Sequence, residues 1–592
     1  MVYFEFVFEN ERQEARIMGI YLNPNNRGFS KAINSEIYVD KTGLLSVTNK
    51  CLNTEQQYIC VSRPRRFGKS MALNMLLAYY SRGCSSKKLF QGLKIEADSE
   101  FEEHLNKYDV IYLNMQQFLI EAKDGRVTEY LEEKVLEEIR EEYGEFLKHQ
   151  VTGLADALRY IYAKTEQTFI FLIDEWDCVM RERQESETMQ KQYLDFLRNL
   201  LKDQPYVALA YMTGILPVKK YRVHYTLNMF TEYSMTNQKE LEEYTGFTED
   251  EVKGLCERFH MDSEEISDWY DGYKLKRFHH IYNPKSVVEA MRCQDCDNYW
   301  TATETYDALK KYIEMNFDGL RADILQLLGG GSVPVNTGSF QNDMQTFRIK
   351  DDVLTLLVHL GYLAYDSVEE KAFIPNNEIR REFENAIRVG GWENVMKVIN
   401  ASERLLQNTL AGKEDDVATA LDKAHREIAS NLDYNTEFAL GCTVILAYWS
   451  ARKDYDIIRE MPTGYGYADI VFLPLSGRNK PAIVVELKYN DTAETAIQQI
   501  KNKKYGDKLK NYYGEIVLVG INYDKDKKEA GHSCKEVWRS FEICKRANPR
   551  DLHGSGTEGS KCYCVYQRLG NEGAGGEGVA GTGIHNVSLL TT

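Results

Sequence analysis

The sequence runs to 592 residues, 43% hydrophobic and 28% charged. That is room for about four domains of roughly 150 residues, and it excludes a disulfide-stapled miniprotein, a fibrous repeat and a wholly disordered chain. Lys plus Arg number 73 against 90 Asp plus Glu, a net charge of −17, so the bulk charge repels a phosphate backbone and any nucleic-acid contact needs a local basic patch.

Phe4 to Glu9 interleave apolar and acidic side chains with no basic n-region of a secretory leader, and the 12 cysteines are scattered without a framework. Both features suit a cytoplasmic protein with reduced thiols. The longest nearly uncharged apolar run, Phe438 to Trp449, is shorter than the ~20 residues that cross a bilayer, so no membrane partner is expected.

From Gly19 to about residue 230 the pattern is that of an open α/β sheet. Turn residues at Asn23 to Gly28 precede an apolar segment, Ile37 to Val39, that leads into Asp40, Lys41 and Thr42. A strand at Tyr58 to Ser62 is followed by the loop Arg63, Pro64, Arg65, Arg66, Phe67, Gly68, Lys69, Ser70 and a helical stretch, Met71 to Tyr80. This is the context of a phosphate-binding loop, in which backbone N–H groups at a helix start surround phosphate oxygens, Lys69 reaches the β and γ phosphates of ATP, and Ser70 holds Mg2+. Arg63 stands where the usual motif has its first glycine, and a plain basic surface loop is the alternative.

Phe169 to Ile173 is a continuous apolar run that ends in Asp174 and Glu175, as expected of a buried strand presenting a magnesium carboxylate (Asp174) and a water-polarising one (Glu175) beside the phosphate loop. Two acids capping a helix is the plainer reading. Val207 to Met212 ends at Thr213, placed to sense the γ-phosphate.

Residues 231–418 are mostly helical in pattern. A helix at Asp351 to Leu360, Gly361, and two short strand candidates, Tyr362 to Asp366 and Ala372 to Pro375, suggest a winged helix. Cys293 and Cys296 form a CxxC without a second ligand pair, for which two free thiols is a plainer account than zinc. A third α/β unit, residues 419–540, holds an apolar helix, Thr436 to Trp449, and strand candidates Ala468 to Leu473 and Ala482 to Tyr489 around a Ser476 to Asn479 turn. With the turn centred between Gly477 and Arg478, Asp469 falls opposite Glu486, and Lys488 shares its face. Opposed carboxylates destabilise a sheet unless a cation lies between them, so Asp469 and Glu486 are expected to hold Mg2+, with Lys488 orienting the nucleophile of a phosphodiesterase. Ile497 to Lys510, with five lysines and one aspartate, is the basic patch that DNA requires. Residues 541–592 turn Gly-rich and aperiodic, as in a disordered tail.

Tyr38 to Gly43, the loop Arg63 to Ser70, Ile173 to Asp177, Thr213 to Ile215 and Phe230 to Met235 resemble the bacterial AAA-ATPase-like family, and Gly466 to Val471 with Val485 to Lys488 and Gln499 resembles the PD-(D/E)XK nuclease domain fused behind it. The resemblance implies a P-loop NTPase sheet, a helical middle region and a restriction-endonuclease-like α/β domain. It also implies that Asp469, Glu486, Lys488 and Gln499 form the nuclease centre, and that Glu437 completes the metal ligands. The expected function is an ATPase controlling a DNA nuclease, with RNA as substrate and self-association into a homo-oligomer left open. The alternative is a nucleotide-dependent scaffold whose nuclease fold binds without cutting.

Overall fold

The computed structural model describes residues 19–122, 125–147, 151–218, 227–237, 240–300, 306–315, 317, 319–341, 347–390, 392–429, 437–463, 466–475, 478–489, 495–496, 498–499, 516–524 and 537–547. It forms two compact units, one of residues 1–318 and 332–384, the other of 319–331 and 385–592.

In the first unit β1 (Tyr58–Ser62), β2 (Asp109–Asn114), β3 (Phe169–Asp174), β4 (Val207–Gly214) and β5 (Thr231–Tyr233) form a sheet in the order β2-β3-β4-β1-β5, every pairing parallel. β1, β3 and β4 are buried along their whole length, which is why they read as unbroken apolar runs rather than alternating ones. The helix Lys69–Tyr80 packs Leu73, Leu76 and Tyr80 into the core that holds Ile59, Val61, Ile170 and Leu172. β4 separates β1 from β3, so the carboxyl ends of the two motif-bearing strands flank a crevice where open sheets of this kind take ligands. β5 lies past the boundary expected at residue 230. A strand of three residues carries too little periodicity to be read from sequence.

A smaller helical subdomain follows, with helices Glu249–Phe259, Ser263–Tyr270 and Pro284–Cys293 and the two-stranded pair β6 (Phe247–Thr248) and β7 (Ile281–Tyr282). Its own core contains Val252, Leu255, Ile266, Tyr270, Val287 and Met291. The helix Lys350–Leu360 ends at Gly361, whose φ of +87° suits glycine, and leads into β9 (Ala364–Asp366) and β10 (Lys371–Phe373), antiparallel as a wing. A strand not expected from the sequence, β8 (Ser332–Pro334), joins β10 to make the sheet β8-β10-β9. The middle region is therefore not a separate body, since residues up to 384 other than 319–331 belong to the first unit and those from 385 to the second.

The second unit contains the helices Glu393–Ala411, Glu414–Ala429 and Glu437–Ala447 and the mixed sheet β11 (Tyr455–Thr463), β12 (Gly466–Pro474), β13 (Ala482–Tyr489), β14 (Ile516–Asp524) and β15 (Val537–Ala547). β13 and β14 run parallel, and the other pairs antiparallel. β15 crosses the boundary expected at 540/541, so the fold extends to Ala547. Its backbone bonding to β14 outweighs the compositional shift on which that boundary rested. The segments 1–18 and 548–592 lie outside the described residues, as do Ser476 and Gly477 of the hairpin turn. No helix among the described residues is long and apolar enough to cross a membrane.

Candidate active sites

At the first site, β1 ends in a loop curled by two left-handed residues, Arg66 (φ +68°) and Gly68 (φ +85°), before the helix Lys69–Tyr80 begins. Lys69 is 5% exposed, and its Nζ donates to the carbonyls of Arg63 (3.0 Å) and Pro64 (2.8 Å). Burial lowers its pKa, while Glu175, Asp177 and Asp174 work in the opposite direction. A phosphate could therefore take over both carbonyl bonds with a strong gain in charge pairing.

Asp174 ends β3, is 2% exposed, and its Oδ1 accepts from Thr213 Oγ1 (2.5 Å) and the Glu175 N–H (3.1 Å). Thr213 thus orients the carboxylate, rather than lining the cavity itself. Glu175 adopts φ +55°, a conformation seen at strained functional positions. Its carboxylate pairs with Arg181, which also donates to Asp177 Oδ2 at 3.1 Å. Burial raises the Glu175 pKa, and Arg181 and Lys69 restrain the rise. Asp177 is anchored in turn, accepting the N–H groups of Ile215 (3.0 Å) and Leu216 (2.8 Å). The sequence motif includes Asp177 without assigning it a role, and it does not reach Arg181. Their i, i+4 spacing after Glu175 was the available signal.

Two cavities meet here, of about 850 Å³ and 570 Å³. Both are lined by Arg65, Ser70 and Glu175; Lys69 and the apolar Phe29, Ile37 and Val39 face the larger, Asp174 and Asn114 the smaller. The helix Pro284–Cys293 brings Lys285 and Arg292 to the larger cavity, a contribution from more than two hundred residues downstream that spacing could not reveal. Ser70 and Asp174 share the smaller cavity, and their oxygen donors suit Mg2+.

Arg63 requires a correction. Its side chain is 1% exposed and donates to the carbonyls of Ser62 and Tyr233, both at 3.2 Å. Its N–H is taken by the Gly214 carbonyl at 3.1 Å. It braces the loop against β5 instead of facing a ligand, and burial pulls its pKa down to about 10, with Glu242 opposing. Pro64 likewise packs toward Gly361, where an added Cβ would approach it to 2.7 Å.

At the second site the register of β12 on β13 pairs Ile470 with Val485, Val471 with Val484 and Phe472 with Ile483, and Asp469 and Glu486 are the residues next to the first of these pairs on either strand. Asp469 Oδ2 accepts the Leu487 N–H at 2.6 Å, which fixes its carboxylate at the strand junction. Glu486 is 1% exposed, and Lys488 Nζ lies 3.5 Å from its Oε1. A carboxylate this deep needs cationic company. Two opposed oxygen donors with a lysine beside them fit a small divalent ion. Gln499 is half-buried in helical backbone after β13. Glu437 opens the helix Glu437–Ala447, but its side chain lies outside the described residues, as does most of the basic stretch Ile497 to Lys510. Among the described residues no group of three or more His, Cys, Asp or Glu is placed to hold a metal, Cys293 and Cys296 included.

Residues 27–224 match the family model of the predicted AAA-ATPase, and residues 442–533 that of the PD-(D/E)XK nuclease superfamily. The chain joins an AAA-ATPase-like domain to a C-terminal PD-(D/E)XK nuclease-superfamily domain. The AAA-ATPase-like match contains Arg63 to Ser70, Asp174, Glu175 and Thr213, and the nuclease match contains Asp469, Glu486, Lys488 and Gln499; Glu437 falls just before it. An uncharacterized protein in the vnfD 5' region of Azotobacter chroococcum mcd 1 is 23% identical over 520 residues, covering 83% of this chain and 93% of its own. Distant likenesses among solved structures include the Walker-type ATPase PABY2304 of Pyrococcus abyssi (14% identity, TM-score 0.31, 58% of this chain and 94% of that one). The ORC2 protein of Aeropyrum pernix in ADPNP–ADP complexes is another (11%, TM-score 0.28, 62% and 98%).

Proposed function

We propose that the AAA-ATPase-like domain binds and hydrolyses ATP with Mg2+, and that nucleotide state governs a magnesium-dependent nuclease acting on DNA. A cytoplasmic role in bacterial defence or genome maintenance suits such a protein. The observation that supports the nuclease reading is the β12–β13 pairing of Ile470 with Val485, next to which Asp469 and Glu486 follow on their strands, with Lys488 Nζ 3.5 Å from Glu486 Oε1.

At the ATPase site Lys69 exchanges its loop carbonyls for phosphate oxygens, Ser70 and Asp174 hold Mg2+, Thr213 keeps Asp174 oriented, and Glu175 accepts a proton from the attacking water. At the nuclease site Asp469 and Glu486 hold Mg2+, with Glu437 as a further carboxylate, while Lys488 and Gln499 orient the nucleophile and scissile phosphate. The metal, when bound, supplies Lewis-acid charge and lowers the pKa of water. Because the chain is net negative, DNA is gathered by the lysines of Ile497 to Lys510.

The test is incubation of the full chain with single- and double-stranded DNA and RNA, with and without ATP and Mg2+. Cleavage that needs Mg2+, disappears in Asp469→Asn and changes with ATP is the expected result. Binding without cleavage under every condition would favour the scaffold reading, and cleavage by Asp469→Asn equal to the parent would refute the assigned centre.

A further inference from the structure

The segment from Ile37 to Lys41 divides its side chains between two cores. Ile37 and Val39 pack into the helical subdomain with Phe247, Val252 and Val287, whereas Tyr38 packs against the core of the parallel sheet. The polar residues divide the same way. Asp40 turns toward the sheet side, its Oδ1 accepting from the Thr42 N–H at 2.8 Å and its Oδ2 from the Lys94 N–H at 2.7 Å. Lys41 turns toward the subdomain, its Nζ donating to both carboxylate oxygens of Glu251 (2.6 and 2.8 Å) and to the Glu243 carbonyl at 2.6 Å. Glu251 is also the residue that caps its own helix, accepting the Thr248 N–H at 2.9 Å within a capping box. Ile37, Tyr38, Val39 and Lys41 all line the larger cavity, on which the same subdomain places Lys285 and Arg292.

We propose that Lys41 is a positioning residue for the nucleotide. Through Glu251 it clamps the helical subdomain to the cavity wall, so that Lys285 and Arg292 are held over the phosphate loop. The pair is largely shielded, with side chains 17% and 20% exposed, so its geometry is not diluted by water as a surface pair's would be. Loss of the lysine would leave the Glu251 carboxylate, in its partly buried place, without that cation and free the subdomain to part from the wall.

This inference rests on the cavity being a nucleotide site. It is tested with the full chain by calorimetric titration of ATP with Mg2+ and by hydrogen exchange of the helix Glu249–Phe259 with and without ATP, for the parent, Lys41→Met, Lys41→Arg and Glu251→Gln. The expectation is affinity at least tenfold weaker in Lys41→Met, with loss of ATP-induced protection in that helix, and affinity within threefold of the parent in Lys41→Arg. A parent that binds no ATP would overturn the nucleotide reading itself. A parent that binds while Lys41→Met matches it in affinity and protection would overturn the clamp alone. Should Lys41→Met not fold, Glu251→Gln decides, since its amide oxygen can still accept the Thr248 N–H while the ion pair is gone: binding at least threefold weaker than the parent supports the clamp, and binding within threefold of it refutes the clamp.

Discussion

Changing Asp469 to Asn should move stability and metal affinity in opposite directions. Asparagine keeps an oxygen that can accept the Leu487 N–H now bonded to Asp469 Oδ2 at 2.6 Å, so the strand junction survives. What is lost is one of two opposed negative charges, and relieving a like-charge cross-strand pair is worth about 0.2–1 kcal/mol. In EDTA the variant should therefore be the more stable protein. In Mg2+ the order reverses: a ligand at a hundred times its dissociation constant stabilises the native state by about 2.7 kcal/mol, and a neutral amide forfeits most of this. For a unit of about 200 residues, 1 kcal/mol corresponds to roughly 2–4 °C in melting temperature. The melting transition of the second unit should then rise by about 5–10 °C with Mg2+ in the parent and hardly at all in Asp469→Asn, the two lines crossing between EDTA and saturation. Differential scanning calorimetry across a magnesium series reads this directly. A variant less stable than the parent in EDTA, or a parent indifferent to Mg2+, would refute the placement of a cation between Asp469 and Glu486.

Lys69→Ala should weaken ATP binding by more than a hundredfold, because it removes the buried cation whose loop-carbonyl bonds a phosphate would take over, whereas Glu175→Gln should keep affinity and lose turnover; filter binding and phosphate release separate the two. Lys488→Ala should retain the magnesium-dependent rise in melting temperature while slowing cleavage at least tenfold, and loss of both would make the lysine a structural counter-ion. A chain cut after Ile543 should melt below one cut after Ala547, since the shorter one loses the β15 residues that pair with Leu518, Val517 and Ile516. Glu378, which accepts from Ser286 Oγ and from the Tyr299 and Trp300 N–H groups at 2.9 Å each, has its pKa raised by burial to about 7, with Glu382 adding to the rise. The folded state therefore holds its proton more tightly than the unfolded one, so stability falls as pH rises from 4.5 toward 7 by up to roughly 3 kcal/mol and then levels, and Glu378→Gln should flatten melting temperature over that window.

What was legible in the sequence was what local pattern controls. β1, β3 and β4 announce themselves because strands buried on both faces must be apolar without interruption, and the acids at the end of β3 stand out because nothing else in that run is polar. The β12–β13 register could be derived because a hairpin ties pairing to the centre of its turn, and the pairs Ile470–Val485, Val471–Val484 and Phe472–Ile483 keep that register. β5 and β8 were not legible: three residues each, they are strands only because β1 and β10 offer them bonding edges.

The side chains that shape the sites divide by the same rule, although composition alone would have ranked them differently. Arg63 looks like a phosphate ligand because it is basic and sits in the loop, yet its direction is set by the Tyr233 carbonyl at the end of a strand that sequence could not supply. Lys41 looks like one residue of an unexplained motif until Glu251 is folded beside it, 210 positions away. In both cases a charged side chain lies largely shielded from water, so it finds its partner by tertiary contact, and the identity of that partner determines whether the charge serves the ligand or the frame around it. Lys69 differs from Arg63 in this respect. Its present partners are two loop carbonyls that a phosphate can replace, whereas the Arg63 partners belong to the sheet edge itself. Replaceability, more than charge or motif position, separates the residue that meets the nucleotide from the one that holds the loop in place.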